Sequence, residues 1–198
     1  MYARVNTIFG TEGKIGDGVA HIEGSDRSVV ESTAGNQGLT TLVDREAGVI
    51  VAMSYWDDLQ HSLEATLTRA REGAAIAAGG ELVTETFEVA LTERPAVPAP
   101  GAVTRLTRVR LAPSRVDAGL AFIHDDLLQR LFAGPGLSSA ELLIDRDIGS
   151  GLLVTTWTDQ DAADRGEALL DEVRDGAAAR VRATFPRSES YVLVRQST

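Results

Sequence analysis

The stretch DREAGVIVAMSYWDD, residues 44–58, recurs as DRDIGSGLLVTTWTD, residues 145–159, at a spacing of 101 residues. Asp44, Arg45, Gly48, Trp56 and Asp58 return as Asp145, Arg146, Gly149, Trp157 and Asp159 without a gap. Each copy reads as a polar turn closed by Gly, a β-rich apolar run, a Trp at its end, and an Asp suited to cap a following helix. The pattern predicts a hairpin that feeds a helix, made twice.

Working outward, residues 3–9 (ARVNTIF) alternate, with Arg4, Asn6 and Ile8 on one face, as a strand requires. Ile15, Val19 and Ile22 mark one face of a helix reaching about Thr33, weakened at Gly18 and Gly24 by about 1 kcal/mol each relative to Ala. Leu39–Asp44 and Val49–Tyr55 form the hairpin. A second helix starts at Asp57 or Asp58 and carries Leu59, Leu63, Leu67 and Ala70 at three-to-four spacing. Residues 82–91 alternate again as a fourth strand. A proline-rich stretch then divides the chain, because prolines do not join a ladder and stiffen a connection. The same order follows it: strand 103–111, helix 116–132, hairpin 139–145 and 152–156, helix 159–183, strand 190–194. IGDGVAHI at 15–22 overlays VDAGLAFI at 116–123, REGAA at 71–75 overlays RDGAA at 174–178, and TETFEV at 84–89 overlays SESYVL at 188–193. The expectation is α+β: two ferredoxin-like (split βαβ) domains, 1–93 and 103–198, around a linker at 94–102.

In such a unit one sheet face lies under the helices and the other needs a cover. Val49, Val51 and Met53 alternate with Ile50, Ala52 and Ser54, so both faces of that strand are largely apolar. Hiding about 500 Å² of apolar sheet contributes on the order of 10 kcal/mol before ordering costs. The two sheets are therefore expected to meet face to face within one chain.

Charge and composition narrow the function. The formal charge of −10 argues against a phosphate-tracking surface, since nucleic-acid binding relies on Lys and Arg displacing counterions. The absence of cysteine removes disulfides, thiolate nucleophiles and Cys-ligated metals, and fits a reducing cytoplasm. His21, His61 and His124 are scattered and form no metal-binding spacing, so no metal site is expected. No apolar run reaches the roughly 18 residues of a membrane span, so no membrane partner is expected either.

The strand, the helix, the Gln-Gly or Pro-Gly break, the hairpin with Asp-Arg-x-x-Gly and the Ser/Thr-x-Trp before acidic residues resemble the antibiotic biosynthesis monooxygenase (ABM) domain of the dimeric α/β-barrel superfamily. Gly38, Asp44, Arg45, Gly48, Ser54 and Trp56 carry the resemblance in the first half; Pro135, Gly136, Asp145, Arg146, Gly149, Thr155 and Trp157 carry it in the second. It implies an apolar pocket between helices and sheet in each half. It also implies a function among cofactor-independent monooxygenases of aromatic, polyketide-type substrates, haem-degrading monooxygenases, or proteins without known reaction. Asn6 matches an Asn of the haem-degrading branch, but the places where that branch has a Trp and a His hold Ala65 and Ala75, so haem degradation is disfavoured.

A cofactor-free oxygenase needs a base, donors for an oxyanion and an apolar wall. Asn6 and His61 are the catalytic candidates. Tyr55, Trp56, Arg105, Arg108 and Trp157 are the substrate-binding candidates. Each has a plainer reading: His61 a solvated helix residue, Tyr55 strand packing, the arginines paired with surplus carboxylates, and each Trp a core filler whose indole N–H donates to a backbone carbonyl. The expected partner is a small apolar or aromatic molecule, with no cofactor and no nucleic acid, on a monomer with an internal pseudo-dimer or on a homodimer. The alternative is a non-catalytic ligand-binding or stress-response module.

Overall fold

A computed structural model of the chain describes residues 1–186 and 188–197. It divides into two units, residues 1–87 with 192–197, and Glu88–Tyr191. The first contains β1 (Tyr2–Phe9), α1 (Ile15–His21), a widened π turn (Ile22–Asp26), α2 (Arg27–Ser32), β2 (Asn36–Asp44), β3 (Val49–Trp56), a 3-10 turn (Leu59–Leu63) and α3 (Ala65–Ala77). β4 (Glu81–Glu93) begins in this unit and ends in the other. The second continues with β5 (Val103–Arg110), α4 (Val116–Phe122), a widened turn (Ile123–Leu128), α5 (Gln129–Ala133), β6 (Leu137–Asp145), β7 (Ser150–Trp157) and α6 (Gln160–Val181). β8 (Ser188–Gln196) begins there and ends in the first unit.

In the first unit β3 is the middle strand, antiparallel to β1 from Tyr2↔Trp56 to Phe9↔Val49 and to β2 from Asn36↔Trp56 to Asp44↔Val49. β2 takes the end of β8 on its other edge, Leu42 opposite Leu193 and Val43 opposite Val192. The second unit repeats the scheme: β7 lies between β5 and β6, and β6 takes the end of β4, Val89 opposite Leu143. Both units are therefore antiparallel α+β units in which a strand from far along the chain extends the hairpin sheet.

The quoted stretch forms as its residues dictate. Asp44 Oδ1 accepts from the backbone N–H of Glu46 (3.1 Å) and Ala47 (2.9 Å), and Gly48 takes the left-handed backbone (φ 69°) that a side chain would strain. Asp145 and Gly149 (φ 68°) repeat this turn. Asp159 caps α6 by accepting from Ala162 N at 2.8 Å, while Asp58 caps the 3-10 turn through Gln60 N at 2.9 Å.

The helices of the first unit differ from the sequence expectation in two places. The first is not continuous to Thr33: Gly24 leaves helical geometry (φ −81°, ψ −109°), and the turn widens at Ile22–Asp26 before α2 resumes. Arg27 then fastens α2 to the sheet, bonding Glu23 and Glu31 at 2.8 Å each, Leu39 O at 3.0 Å and Thr41 Oγ1 at 3.1 Å. The second helix is broken at Glu64, whose extended backbone (ψ 141°) resets the helical phase. Leu63 consequently points to solvent (51% exposed) and the apolar stripe starts afresh at Leu67 (1%).

The core of the first unit gathers Ile8, Ile15, Val19, Ile50 and Ala74 between sheet and helices; that of the second gathers Val109, Leu120, Leu142, Leu153, Leu170 and Val173. Gly18 is fixed by this packing, because a Cβ there would stand 2.7 Å from Ala78 Cβ and 2.8 Å from Ile50 Cδ1. Gly18→Ala should therefore lower stability by about 1–2 kcal/mol despite a better helix propensity. Chemical denaturation of the variant measures this, and an unchanged or raised midpoint would refute the packing account.

Candidate functional site

Side chains alternate across a strand, so Arg4, Asn6 and Ile8 of β1 share one face with Ser54, Ala52 and Ile50, their partners on β3. Trp56, two residues beyond Ser54, completes that face. Between this face and the helices lies a cavity of about 40 Å³ with mainly apolar walls. Ile22 and Asp26 reach it from the widened turn, Leu67, Arg71 and Ala74 from α3, and Leu82 from β4.

Its polar groups are few. Asn6 is 5% exposed; its Oδ1 accepts from Thr84 Oγ1 at 2.9 Å, and its Nδ2 donates to Ala52 O over a long 3.5 Å. The Trp56 indole N–H donates to Ser54 Oγ at 2.9 Å, and Trp157 to Thr155 Oγ1 at 3.0 Å. The indole partner is thus a hydroxyl two residues back on the same strand, not a backbone carbonyl, because the side chains at those two positions stand side by side on one face. Asp26 is 9% exposed, and its carboxylate meets His21 Nε2 at 3.3 Å. Burial pushes its pKa above the ordinary carboxylate range, against the opposing pull of His21 and of the Ser25 hydroxyl. Arg71 is pulled down to about 10 by burial and by the neighbouring Arg4.

The second unit holds a counterpart of about 10 Å³, lined by Arg105, Thr107, Trp157 and Glu167 among others. Trp157 lies so close to α6 that a Cβ on Gly166 would sit 2.2 Å from its ring. Thr107, at the place of Asn6, is 3.2 Å from Ser188 Oγ. A wider and more open cleft of about 340 Å³ runs beside Pro135 and Leu169, with Arg165 and Glu172 as its charged lining residues, both exposed. It lacks the convergent buried polar groups of the first-unit cavity.

The sequence-predicted residues distribute unevenly. Asn6 and Trp56 line the first cavity, and Arg105 and Trp157 line the second. His61 sits outside the cavity lining, with 42% of its side chain exposed and Nδ1 3.0 Å from Asp57 Oδ1. Tyr55 is buried on the opposite face of β3, and Arg108 alternates away from Arg105 and Thr107 on β5. Asp26 and Arg71 were not among the sequence candidates. Asp26 lies where a continuous helix is predicted, and only the turn at Gly24 brings it to the cavity. Arg71 is legible as a repeated position, with Arg174 in the aligned REGAA and RDGAA.

No family model matches the chain. Among solved structures, a candidate monooxygenase from Lactobacillus acidophilus NCFM superposes with a TM-score of 0.72 at 10% identity, over 100% of this chain and 95% of that one. An anthrone oxidase-like protein gives 0.68 at 17% identity, over 99% and 92%. A Listeria monocytogenes ferredoxin-fold protein related to antibiotic biosynthesis monooxygenases gives 0.50 at 13%, over 96% and 95%. The fold is thus that of the ABM-type dimeric α/β-barrel domain. Within it, the chain belongs to the family of the uncharacterized protein Rv2557 of Mycobacterium tuberculosis (strain ATCC 25618 / H37Rv), to which it is 30% identical over 167 residues, 83% of this chain and 75% of that protein. Uncharacterized protein Rv2558 of the same strain is 28% identical over 178 residues, 88% and 75%.

Two stability measurements follow from the site. Trp56 is 1% exposed, so Trp56→Ala should cost about 3–5 kcal/mol by leaving a void, and a loss below about 1 kcal/mol would contradict its place in the wall. Asp26 has a raised folded pKa, so its contribution to stability is present below the ordinary carboxylate pKa and is lost as pH rises through the folded value. Asp26→Asn should therefore melt above the wild type near pH 7.5 and together with it near pH 3.5. The opposite ordering would reverse the assigned cause.

Proposed function

We propose that the first-unit cavity binds a compact aromatic molecule and that the protein is a cytoplasmic, cofactor-independent monooxygenase acting on a polyketide-type phenol or anthrone. The observation that carries this reading is the apolar cavity in which the buried Asp26 carboxylate and the Asn6 amide converge beside Trp56. The likeness of fold to a candidate monooxygenase and an anthrone oxidase-like protein supports it. The proposal includes two ABM-like halves in tandem, 1–93 and 103–198. Among the described residues no helix is long and apolar enough to cross a membrane.

The chemistry asks little of the protein. A ring-activated methylene gives a proton to the Asp26 carboxylate, whose raised pKa makes it a stronger base than an exposed carboxylate. The resulting enolate passes an electron to O₂, and recombination of the two radicals forms the C–O bond of a hydroperoxide. Loss of water leaves the carbonyl, so that CH₂ and O₂ become C=O and H₂O. Asn6 Nδ2, held only by its 3.5 Å bond to Ala52 O, turns to donate to the enolate oxygen.

Cavity size favours a second reading, a ligand-binding protein without catalysis. About 40 Å³ is smaller than the roughly 150 Å³ void that takes up benzene in an engineered core. Under the enzymatic reading the turn at Ile22–Asp26 shifts outward as substrate binds.

Oxygen uptake with a panel of anthrones and hydroquinones separates the two. The enzymatic reading expects turnover above buffer, reduced about 10²-fold or more by Asp26→Asn. It expects little change from His61→Ala, which tests the imidazole in the same role. Uptake at the buffer level with every compound leaves the binding reading in place.

A further inference from the structure

The chain carries a surplus of ten acidic groups, yet among the described residues two arginines beside the first-unit cavity form no ion pair. Arg71 lines the cavity. Its Nη1 donates to Ser62 O at 3.3 Å and its Nη2 to Thr68 Oγ1 at 3.0 Å. Arg4, two residues before Asn6 on the same face of β1, donates from Nη1 to the same carbonyl at 3.4 Å and to Ser62 Oγ at 3.2 Å. The two guanidiniums thus meet around one oxygen, like charges held together by neutral acceptors. Arg4 Nε is buried without a hydrogen-bond partner, as are Arg105 Nε and Arg174 Nε in the second unit, so the difference between the units lies in the ion pairs alone. Among the described residues neither side chain has a carboxylate within 4.0 Å.

The second unit supplies an internal control. Arg105 stands on β5 opposite Thr155 as Arg4 stands on β1 opposite Ser54, and it bonds Asp164 at 2.7 Å. Arg174, in the aligned position of Arg71, is paired with Glu167 at 2.9 Å and with Asp171. The matching positions therefore hold the same cations with opposite bookkeeping of charge. Asp171 lies three residues before Arg174, and Thr68 lies three residues before Arg71. Where carboxylates pair with the arginines the cavity is about 10 Å³; where they do not, it is about 40 Å³.

Partly buried cations without counter-charge are costly to hold, and a planar guanidinium matches a carboxylate with two parallel N–H donors. We infer that the first-unit cavity takes a small organic acid, its apolar body among Ile8, Leu67 and Trp56 and its carboxylate at Arg71 and Arg4. This rests on the reading of that cavity as a small-molecule site and names the chemical class of its ligand. The bound carboxylate occupies the role that Asp171, Glu167 and Asp164 fill in the second unit. Burial and the neighbouring Arg4 outweigh the opposing pull of Glu72 and bring the Arg71 pKa down to about 10.

The test uses the full chain, with benzoate as the acid and benzamide as its neutral analogue of the same shape, each entering as the turn at Ile22–Asp26 shifts outward, read by calorimetry and by thermal shift. Benzoate is expected to bind saturably and raise the melting temperature, at least tenfold more tightly than benzamide and more weakly as salt is added. Thr68→Asp places beside Arg71 the carboxylate that Asp171 gives Arg174; it should melt at or above the wild type and weaken benzoate at least tenfold. Arg71→Gln should weaken benzoate to the same degree while circular dichroism shows the fold retained. Benzamide binding as well as benzoate, or benzoate binding unchanged in both variants, would overturn the anion assignment and leave the cavity reading standing. Binding of neither compound would overturn both.

Discussion

Strand β3 is buried along its entire length, on both faces. That constraint organises the first unit. A strand so enclosed has no solvent side on which to place polar residues, so its few hydroxyls must find partners within the protein. Ser54 does so by accepting the Trp56 indole N–H, which fixes the ring as a wall instead of leaving it to fill the space beyond. The helices that cover this face are small-residue helices, with Gly18, Ala74, Ala75 and Ala78 at the contact. They approach closely at one end and leave a gap at the other. The cavity is the space that remains once the strand has been covered.

The second unit meets the same constraint with other residues. β6 and β7 are almost as deeply buried, and Trp157 repeats the indole-to-hydroxyl bond through Thr155. There α6 is one continuous helix, and its Gly166 admits the Trp157 ring against the helix backbone. In the first unit the corresponding segment is interrupted at Glu64, and the helix that follows is shorter. One interruption in the chain separates a nearly filled interior from one with room in it.

Much of the fold is legible in the sequence because turn chemistry and period-two alternation act locally. Asp44, Gly48, Asp145 and Gly149 make the turns their spacing implies, and Asp159 caps the helix it precedes. The helix irregularities are not legible to the same degree. The widening at Ile22–Asp26 depends on a glycine and on Arg27 being held to β2, a contact between residues fourteen apart that no periodicity reports. The break at Glu64 follows a 3-10 turn whose leucines keep helical spacing in the sequence, so the stripe through Leu63 is visible in the letters and absent in space. The site shared this fate. Asn6 and Trp56 follow from strand alternation, whereas Asp26 lies in the widened turn and Arg71 on the helix that follows the break. The contrast of Thr68 with Asp171 was present in the aligned sequence and becomes meaningful once the arginines beside them are located.

The first unit is not continuous along the chain. Its strand β2 is edged by residues 192–196, while everything else in the unit ends by Phe87. Synthesis from the amino terminus therefore delivers the second unit, Glu88–Tyr191, before the first has received its last strand. The first unit's earlier-made residues wait for its later ones, with the polar backbone edge of β2 uncovered until residues 192–196 have left the ribosome. Order of manufacture and order of completion run in opposite directions in this protein.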